Sequence, residues 1–172
     1  MNRDFRYSIF YVYWPSMDLI THSMTGLLIG SVATTKKDKL YAVLLAAVVA
    51  SALLDVLDVW LYLVDVDLYY HYHRVYTHTL VGAPLYAALG ALPAWLWVRA
   101  RYLFLYIIAL VSILVHLGMD LLCEWPVLLL YPLSHKDFAQ GYIIYSSRII
   151  LIIVTALAIG ILYARQKMEE KN

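Results

Sequence analysis

The sequence predicts an all-α fold: a polytopic membrane bundle of about five transmembrane helices, with a metal site near one face. Of the 172 residues, 63% are hydrophobic and 15% are charged, and the mean hydropathy is +0.72, whereas about a quarter of the residues of a soluble domain are charged. Apolar segments close to the twenty or so residues that cross a membrane recur along the chain. Histidine and aspartate recur near one end of these segments.

Five segments are apolar enough to be predicted as spans, although Thr21 and His22 make the first one polar at its start. They cover about 17–35, 40–63, 79–98, 102–123 and 142–164. The run "WPVLLLYPL" is too short to cross and is predicted to lie at the interface or to re-enter.

The chain divides into three predicted parts. Residues 1–16 form an N-terminal interfacial extension, because they are tyrosine-rich and lack the small-residue cleavage site of a signal peptide. Residues 17–164 form a membrane-embedded helical domain, and residues 165–172 form a polar cytoplasmic tail.

Basic residues favour one side of the predicted bundle. The stretches 36–39, 99–101 and 165–172 hold eight of the thirteen lysines and arginines, and with five crossings they fall on the same side. The positive-inside rule makes that side cytoplasmic. The predicted location is therefore an integral, multi-pass position in the cytoplasmic membrane. No basic run suggests a nucleic-acid partner, and the single Cys123 excludes an intramolecular disulfide.

The ionisable residues gather on the opposite, non-cytoplasmic side. At about 1.5 Å per helical residue, His22, Asp55 and His116 lie roughly 20–24 Å from the basic ends of their helices. Each is costly inside a membrane unless it faces a partner or a wet cavity. A shared site near the outer interface is the simplest explanation.

Two motifs carry metal-ligand chemistry. "LLDVLD" places Asp55 and Asp58 on one helix face, and "HLGMD" does the same for His116 and Asp120. Imidazole nitrogen and carboxylate oxygen suit zinc or a similar divalent ion. The alternative is that these groups satisfy one another without a metal, with Arg148 as the counter-charge.

The motif "HYHRVYTHT" (71–79) lies between two spans. His78 is predicted to open the third helix with Thr77 as its N-cap, and a helix start is a natural anion site. Arg74 is predicted to clamp a phosphate oxygen there, with an interfacial anchor as the alternative. "THSMTG" and "THTLVG" resemble each other, which suggests two similar hairpins around a pseudo-twofold axis, each contributing a histidine and an aspartate.

In the order "MDLITHSMTG", "LLDVLD", "HRVYTHT", "HLGMD" and "YPLS", the motifs of residues 17 to 134 resemble the YdjM-like family, described as LexA-regulated, membrane-bound, metal-dependent hydrolases. That family is distantly similar to the all-helical enzymes zinc-dependent phospholipase C and P1 nuclease, whose metal-binding helices carry a His-x-x-x-Asp/Glu pattern that "HLGMD" fits. Leu54 stands where the family usually has proline, and Val75 where it commonly has glycine. Both differences are expected to alter the backbone around the site without removing a ligand.

We therefore expect a metal-dependent hydrolase, an enzyme that cleaves a phosphoester of a lipid or lipid-linked substrate with metal-activated water. Two or three divalent ions, with zinc favoured, are expected as cofactors. His73 is expected as a general acid or ligand and Arg74 as a stabiliser of developing charge, with Asp58 beside them. The expected metal ligands are His22, Asp55, Asp58, His78, His116 and Asp120.

Two other functions use the same residues. The first is a metal or proton transporter that uses the cluster as a transit site. The inner half of nearly every span is apolar, which argues against a relay of polar groups across the membrane. The second is a non-catalytic membrane scaffold stabilised by a metal, in which Arg74 has no evident use.

Overall fold

A computed structural model describes residues 19–33, 37–99, 101–123, 125–141 and 147–169 of the chain. These residues form six helices and no strand, which confirms the all-α class. The helices are α1 (Leu19–Ala33), α2 (Lys37–Val64), α3 (Val66–Tyr72), α4 (Ala83–Val98), α5 (Tyr102–Leu121) and α6 (Ser147–Glu169). The predicted extension 1–16, the last residues of the predicted tail and the side chain of Arg148 lie outside the described residues.

The apolar helices fall into two groups by length. Three helical stretches are long and apolar enough to cross a membrane: Lys39–Val64, Tyr102–Leu121 and Ile149–Met168. The helices α1 and α4 are apolar but have only 15 and 16 residues. The predicted bundle of about five spans is therefore three long helices with two shorter ones packed among them.

Close packing of small residues holds α1, α2 and α4 together. A Cβ added at Gly26 in α1 would lie 2.6 Å from the carbonyl oxygen of Ala47 in α2. A Cβ added at Gly90 in α4 would lie 2.8 Å from the Cα of Ala50, also in α2. Both distances are shorter than van der Waals contact, so the two glycines set how near these helix backbones come. The last helix, α6, packs against α1.

The start of the third predicted span was wrong. The helix α4 begins at Ala83, with Gly82 as its N-cap and Pro84 in its first turn, whereas the sequence placed the start at 79. Residues 73–82 form turns instead, so His78 does not open a helix and Thr77 does not cap one. The physical reason is that the hydroxyl of Thr77 bonds to the carboxylate of Asp58 and to the ring of His78, while proline favours the first turn of a helix.

An irregular loop, residues 125–141, covers the end of the bundle where 73–82 lies. Asp137 closes it, because its Oδ1 accepts hydrogen bonds from the amides of Val127 at 3.0 Å and Ala139 at 2.9 Å. The amide of Leu80 donates to the carbonyl of Leu129 at 2.9 Å, which ties the loop to the turns before α4. The apolar run "WPVLLLYPL" belongs to this loop and forms no helix.

Candidate metal centre

The predicted site residues meet in one cluster between α1, α2, α5 and the turns of 73–82. Each is buried or nearly so. The cluster contains His22, Asp55, Asp58, His73, Arg74, His78, His116 and Asp120. The helix α2 supplies the two aspartates of "LLDVLD" and α5 supplies both residues of "HLGMD".

Three ligand atoms converge at the centre of this cluster, and a fourth lies beside them. The Nε2 atoms of His78 and His116 lie 3.0 Å apart. The Oδ2 of Asp120 lies 3.2 Å from the first and 3.1 Å from the second. The Oδ1 of Asp55 lies 3.6 Å and 3.8 Å from the same two nitrogens. The two imidazoles and Asp120 thus form one group of potential ligands, and Asp55 approaches it from the other side of the imidazoles as part of a second group.

These separations fit a divalent ion. In tetrahedral zinc sites the nitrogen and oxygen ligands lie about 2.0–2.2 Å from the ion, which places the ligand atoms about 3.3–3.6 Å from one another. The five distances of 3.0–3.8 Å bracket that value. The buried oxygen Oδ2 of Asp120 has no geometrically aligned hydrogen-bond partner within the described residues. The Oδ1 of the same carboxylate lies beside Nη2 of Arg74, so Oδ2 is the atom left for a further cation.

A backbone carbonyl sets the tautomer of His116. Its Nδ1 lies 2.7 Å from the carbonyl oxygen of Ser51, one turn before Asp55 in α2. A carbonyl only accepts, so Nδ1 carries the proton and Nε2 presents its lone pair to the cluster. Metal-binding histidines are commonly held by such a contact. The sequence carries no signal for it, because any residue at position 51 supplies the same carbonyl.

The electrostatics of the cluster favour a positive charge at its centre. Three buried carboxylates (Asp55, Asp58 and Asp120) and one buried guanidinium (Arg74) leave two negative charges when the imidazoles are neutral. Burial by itself lowers the pKa of His78, but the adjacent carboxylates of Asp120 and Asp55 outweigh it and raise that pKa to about 9. A divalent ion would balance the same charge.

His22 lies against the same centre. Its ring stacks on that of His116 with the centroids 3.6 Å apart, and its Nε2 is 3.4 Å from Oδ1 of Asp120. His22, Asp55 and His116 form a second group of potential ligands, which shares His116 with the group of His78, His116 and Asp120. Both histidines of the predicted repeat therefore reach the cluster, but His22 lies in a helix and His78 in a turn.

Arg74 is buried beside the converging ligands, with 2% of its surface exposed. Its Nη2 lies 2.7 Å from Oδ1 of Asp120, so Arg74 supplies the counter-charge within the described cluster. This burial excludes the alternative of an interfacial anchor. Within the described chain its Nε and Nη1 have no hydrogen-bond partner. A buried guanidinium with unused donors is suited to an anionic oxygen.

Asp58 and His73 lie at the edge of the cluster. The Oδ2 of Asp58 is 2.8 Å from Nδ1 of His73 and accepts the amide hydrogen of Arg74 at 3.0 Å. Its Oδ1 accepts from the hydroxyl of Thr77 at 2.8 Å. The role of Asp58 as a metal ligand stays a prediction, and these contacts favour a supporting role instead.

Burial favours the neutral form of His73. It lowers the pKa of His73 despite the opposing hydrogen bond to Asp58, and the nearby Arg74 lowers it further. The ring also contacts Trp125 of the covering loop edge-on, with the centroids 4.9 Å apart. No motif in the sequence pointed to Trp125 as a neighbour of the site.

This fold and cluster define a class: an all-helical membrane protein with a buried histidine–aspartate site that could hold a metal. The chain belongs to the family of the YdjM inner membrane protein, whose model matches residues 17–171. The resemblance drawn from the motifs is thereby confirmed. No match to the chain is found among the curated proteins or the solved structures.

Proposed function

We propose that this membrane protein is a metal-dependent hydrolase that cleaves a phosphoester of a lipid or lipid-linked substrate by metal-activated water. One observation carries the proposal. A convergent set of histidine and aspartate ligands lies next to a buried arginine that retains two unpaired nitrogens within the described residues. A cation site and an anion-binding guanidinium at adjoining positions suit a phosphoryl group.

The proposed ligands are His78, His116, Asp55 and Asp120, with His22 beside them. Zinc is the favoured ion, because it commonly accepts histidine nitrogen and carboxylate oxygen together. The number of ions, expected as two or three, stays a prediction. When bound, such an ion lowers the pKa of a coordinated water and polarises a phosphoryl oxygen.

The remaining residues would act on the substrate. Arg74 binds a phosphoryl oxygen through its free nitrogens while Asp120 holds the guanidinium in place. With its Nδ1–H directed at Asp58, neutral His73 would take a proton at Nε2 from the attacking water and pass it to the leaving alkoxide. The nearly complete burial of the cluster excludes bulk water, which strengthens each of these interactions.

The apolar inner half of the bundle disfavours the transporter alternative. Between Lys39 and Ala50 the buried side chains of α2 are alanine and valine. On α5 the buried positions before His116 are Leu105, Ile108, Ala109, Ser112 and Ile113. Among the described residues, no buried side chain in these stretches is an ionisable group that would pass an ion or a proton inward. A scaffold stabilised by a metal would leave the unpaired nitrogens of Arg74 without a use.

The test is turnover in defined lipid. Purified protein in detergent–phospholipid micelles is given zinc and a panel of phospholipids and polyprenyl phosphates, and the release of phosphate or phosphorylated headgroup is followed. We expect wild type to release product, a chelator to stop it, and Asp55→Ala to abolish it. The matched control is Ser112→Ala, a buried change on α5 one turn before His116 whose hydroxyl bonds only to its own helix at Ile108.

Two results would overturn the proposal. The first is full turnover by Asp55→Ala. The second is a wild type that binds zinc but releases nothing from any phosphoester of the panel. Zinc flux into sealed liposomes under those conditions would support the transporter in its place.

A further inference from the structure

We propose that Thr77 is a positioning residue, whose hydroxyl fixes His78 in the tautomer that presents Nε2 to a metal. The inference rests on the proposed metal function and extends it to a residue outside the ligand set. The Oγ1 of Thr77 lies 2.8 Å from Nδ1 of His78 and 2.8 Å from Oδ1 of Asp58. All three side chains are buried, with Thr77 the most exposed at 9%.

The direction of these hydrogen bonds follows from counting protons. A threonine hydroxyl has one proton to donate and lone pairs to accept with. The Asp58 carboxylate only accepts, so Thr77 donates to Asp58. The oxygen of Thr77 must then accept from Nδ1 of His78, which therefore carries a proton. In neutral imidazole this leaves the lone pair on Nε2, the atom that faces His116 and Asp120.

His78 and His116 are thus both protonated at Nδ1, but different groups accept the hydrogen bond from that nitrogen. In His116 a backbone carbonyl accepts from Nδ1, and no side-chain substitution at Ser51 removes it. In His78 the acceptor is the side chain of Thr77, which can be removed. Because Asp58 also contacts His73 directly, a change at Asp58 would disturb several residues. A change at Thr77 removes only the hydroxyl's bonds to His78 and Asp58 and leaves the carboxylate in place.

The neighbouring Thr79 provides a matched control. It is also buried, with 3% of its surface exposed, and it lies in the same turns. Its hydroxyl accepts the amide hydrogen of Gly82 at 3.0 Å, so it supports the start of α4, and within the described residues it makes no hydrogen bond to a ligand. Thr79→Val removes a buried hydroxyl of the same kind from the same segment.

The experiment measures zinc affinity of the full-length protein in detergent by competition with a chromogenic chelator. We expect Thr77→Val to weaken zinc binding about 10- to 100-fold, the usual loss when the contact that orients a ligand is removed. Thr77→Ser restores the hydroxyl and is expected to stay within about 3-fold of wild type, as is Thr79→Val. The nitrogen-15 spectrum of zinc-loaded, histidine-labelled wild type is expected to show His78 protonated at Nδ1, and this measurement requires no variant.

The outcomes separate the two proposals. Zinc bound by wild type with unchanged affinity in Thr77→Val, or with the zinc on Nδ1 of His78, overturns the role of Thr77 and leaves the metal site standing. An equal loss in Thr79→Val and Thr77→Val also overturns it, since the effect would then be structural. A wild type that binds no zinc overturns the proposed function and this inference with it.

Discussion

The two ends of the bundle are packed by opposite means. In the half of the bundle nearer Lys39, which the basic residues predict to be the inner half, α2 buries Ala42, Ala46, Ala47 and Ala50 against neighbouring helices, with no charged side chain buried beside them in the described chain. In the outer half, one to three turns further along α2, it buries Asp55 and Asp58 among histidines and an arginine.

The difference between the two kinds of packing follows from the membrane lipid that surrounds the protein. Lipid is as apolar as the side chains, so helices in a membrane associate through close packing of small residues and through polar contacts. The inner half uses the first means and the outer half uses the second. The tight inner contacts fix the helix positions, and the outer polar groups are then held at ligand distances. Each variant below is aimed at one of these two kinds of packing.

Removing a proposed metal ligand is expected to have the largest effect on the outer end while leaving the inner packing unchanged. His116→Ala is expected to lose the bound zinc and to lower turnover about 1,000-fold or more, because metal catalysis supplies several kcal/mol and each 1.4 kcal/mol is about tenfold. The inner packing does not involve this side chain, so helix content should be retained. Elemental analysis and circular dichroism of the purified variant test both statements.

His135→Ala is the control for that variant. His135 is an exposed histidine of the loop 125–141, and its ring contacts Tyr131 away from the cluster. It should keep the zinc content of wild type. Equal zinc in wild type and His116→Ala would exclude His116 as a ligand and favour a cluster of polar groups that satisfy one another.

Arg74→Lys tests the anion-binding part of the outer end. Lysine keeps the positive charge that pairs with Asp120 but loses the planar donors that match a phosphoryl group. We expect turnover to fall about 100-fold, as when one transition-state donor is lost, while zinc content stays that of wild type. Turnover and zinc measured on the same preparation distinguish this from loss of the site. Unchanged turnover would remove Arg74 from the mechanism.

The inner end is tested by Gly26→Ala. The new methyl would lie 2.6 Å from the carbonyl oxygen of Ala47, so the α1 and α2 backbones must move apart. We expect a loss of about 1–3 kcal/mol in the free energy of unfolding, the usual cost of overpacking. Unfolding in mixed micelles by a denaturing detergent measures this loss.

Gly160→Ala is the control, because a Cβ at that position of α6 meets no atom within 4 Å. This variant should change the free energy of unfolding by less than about 1 kcal/mol. Equal stability of the two variants would contradict close packing at Gly26.

Periodicity and hydropathy predicted most of this fold. The long helices α2 and α5 follow their predicted segments, since long apolar runs bounded by polar residues have few alternatives in a membrane. The beginning of α4 was wrong by four residues, because Thr77 bonds to Asp58, nineteen residues away in the chain, instead of capping a helix. The short helix α3, capped by Asp65, was not predicted at all.

The site was predictable as a set of residues but not as a geometry. Helical spacing placed Asp55 with Asp58 and His116 with Asp120, yet it gave no means of separating ligands from supporting residues. That separation depends on contacts between elements, such as Arg74 with Asp120 and the carbonyl of Ser51 with His116. Backbone carbonyls have no sequence signal, and an arginine in a polar motif is indistinguishable from a surface anchor until its burial is known.

The smallest expected effect concerns the loop that covers the outer end. Asp137→Ala removes the acceptor of the amides of Val127 and Ala139, which is expected to ease local opening of the loop by about 1 kcal/mol. Faster hydrogen exchange at these two amides measures that change. Zinc affinity should stay within about 2-fold of wild type, because no proposed ligand lies in the loop. A loss of about 10-fold or more is expected only where the removed contact orients a metal ligand. Lys136→Ala, an exposed change at the adjacent position, should alter neither quantity. If Asp137→Ala weakened zinc binding as strongly as Thr77→Val, the loop would belong to the metal-holding structure, and the division of the outer end into a ligand cluster and its cover would be wrong.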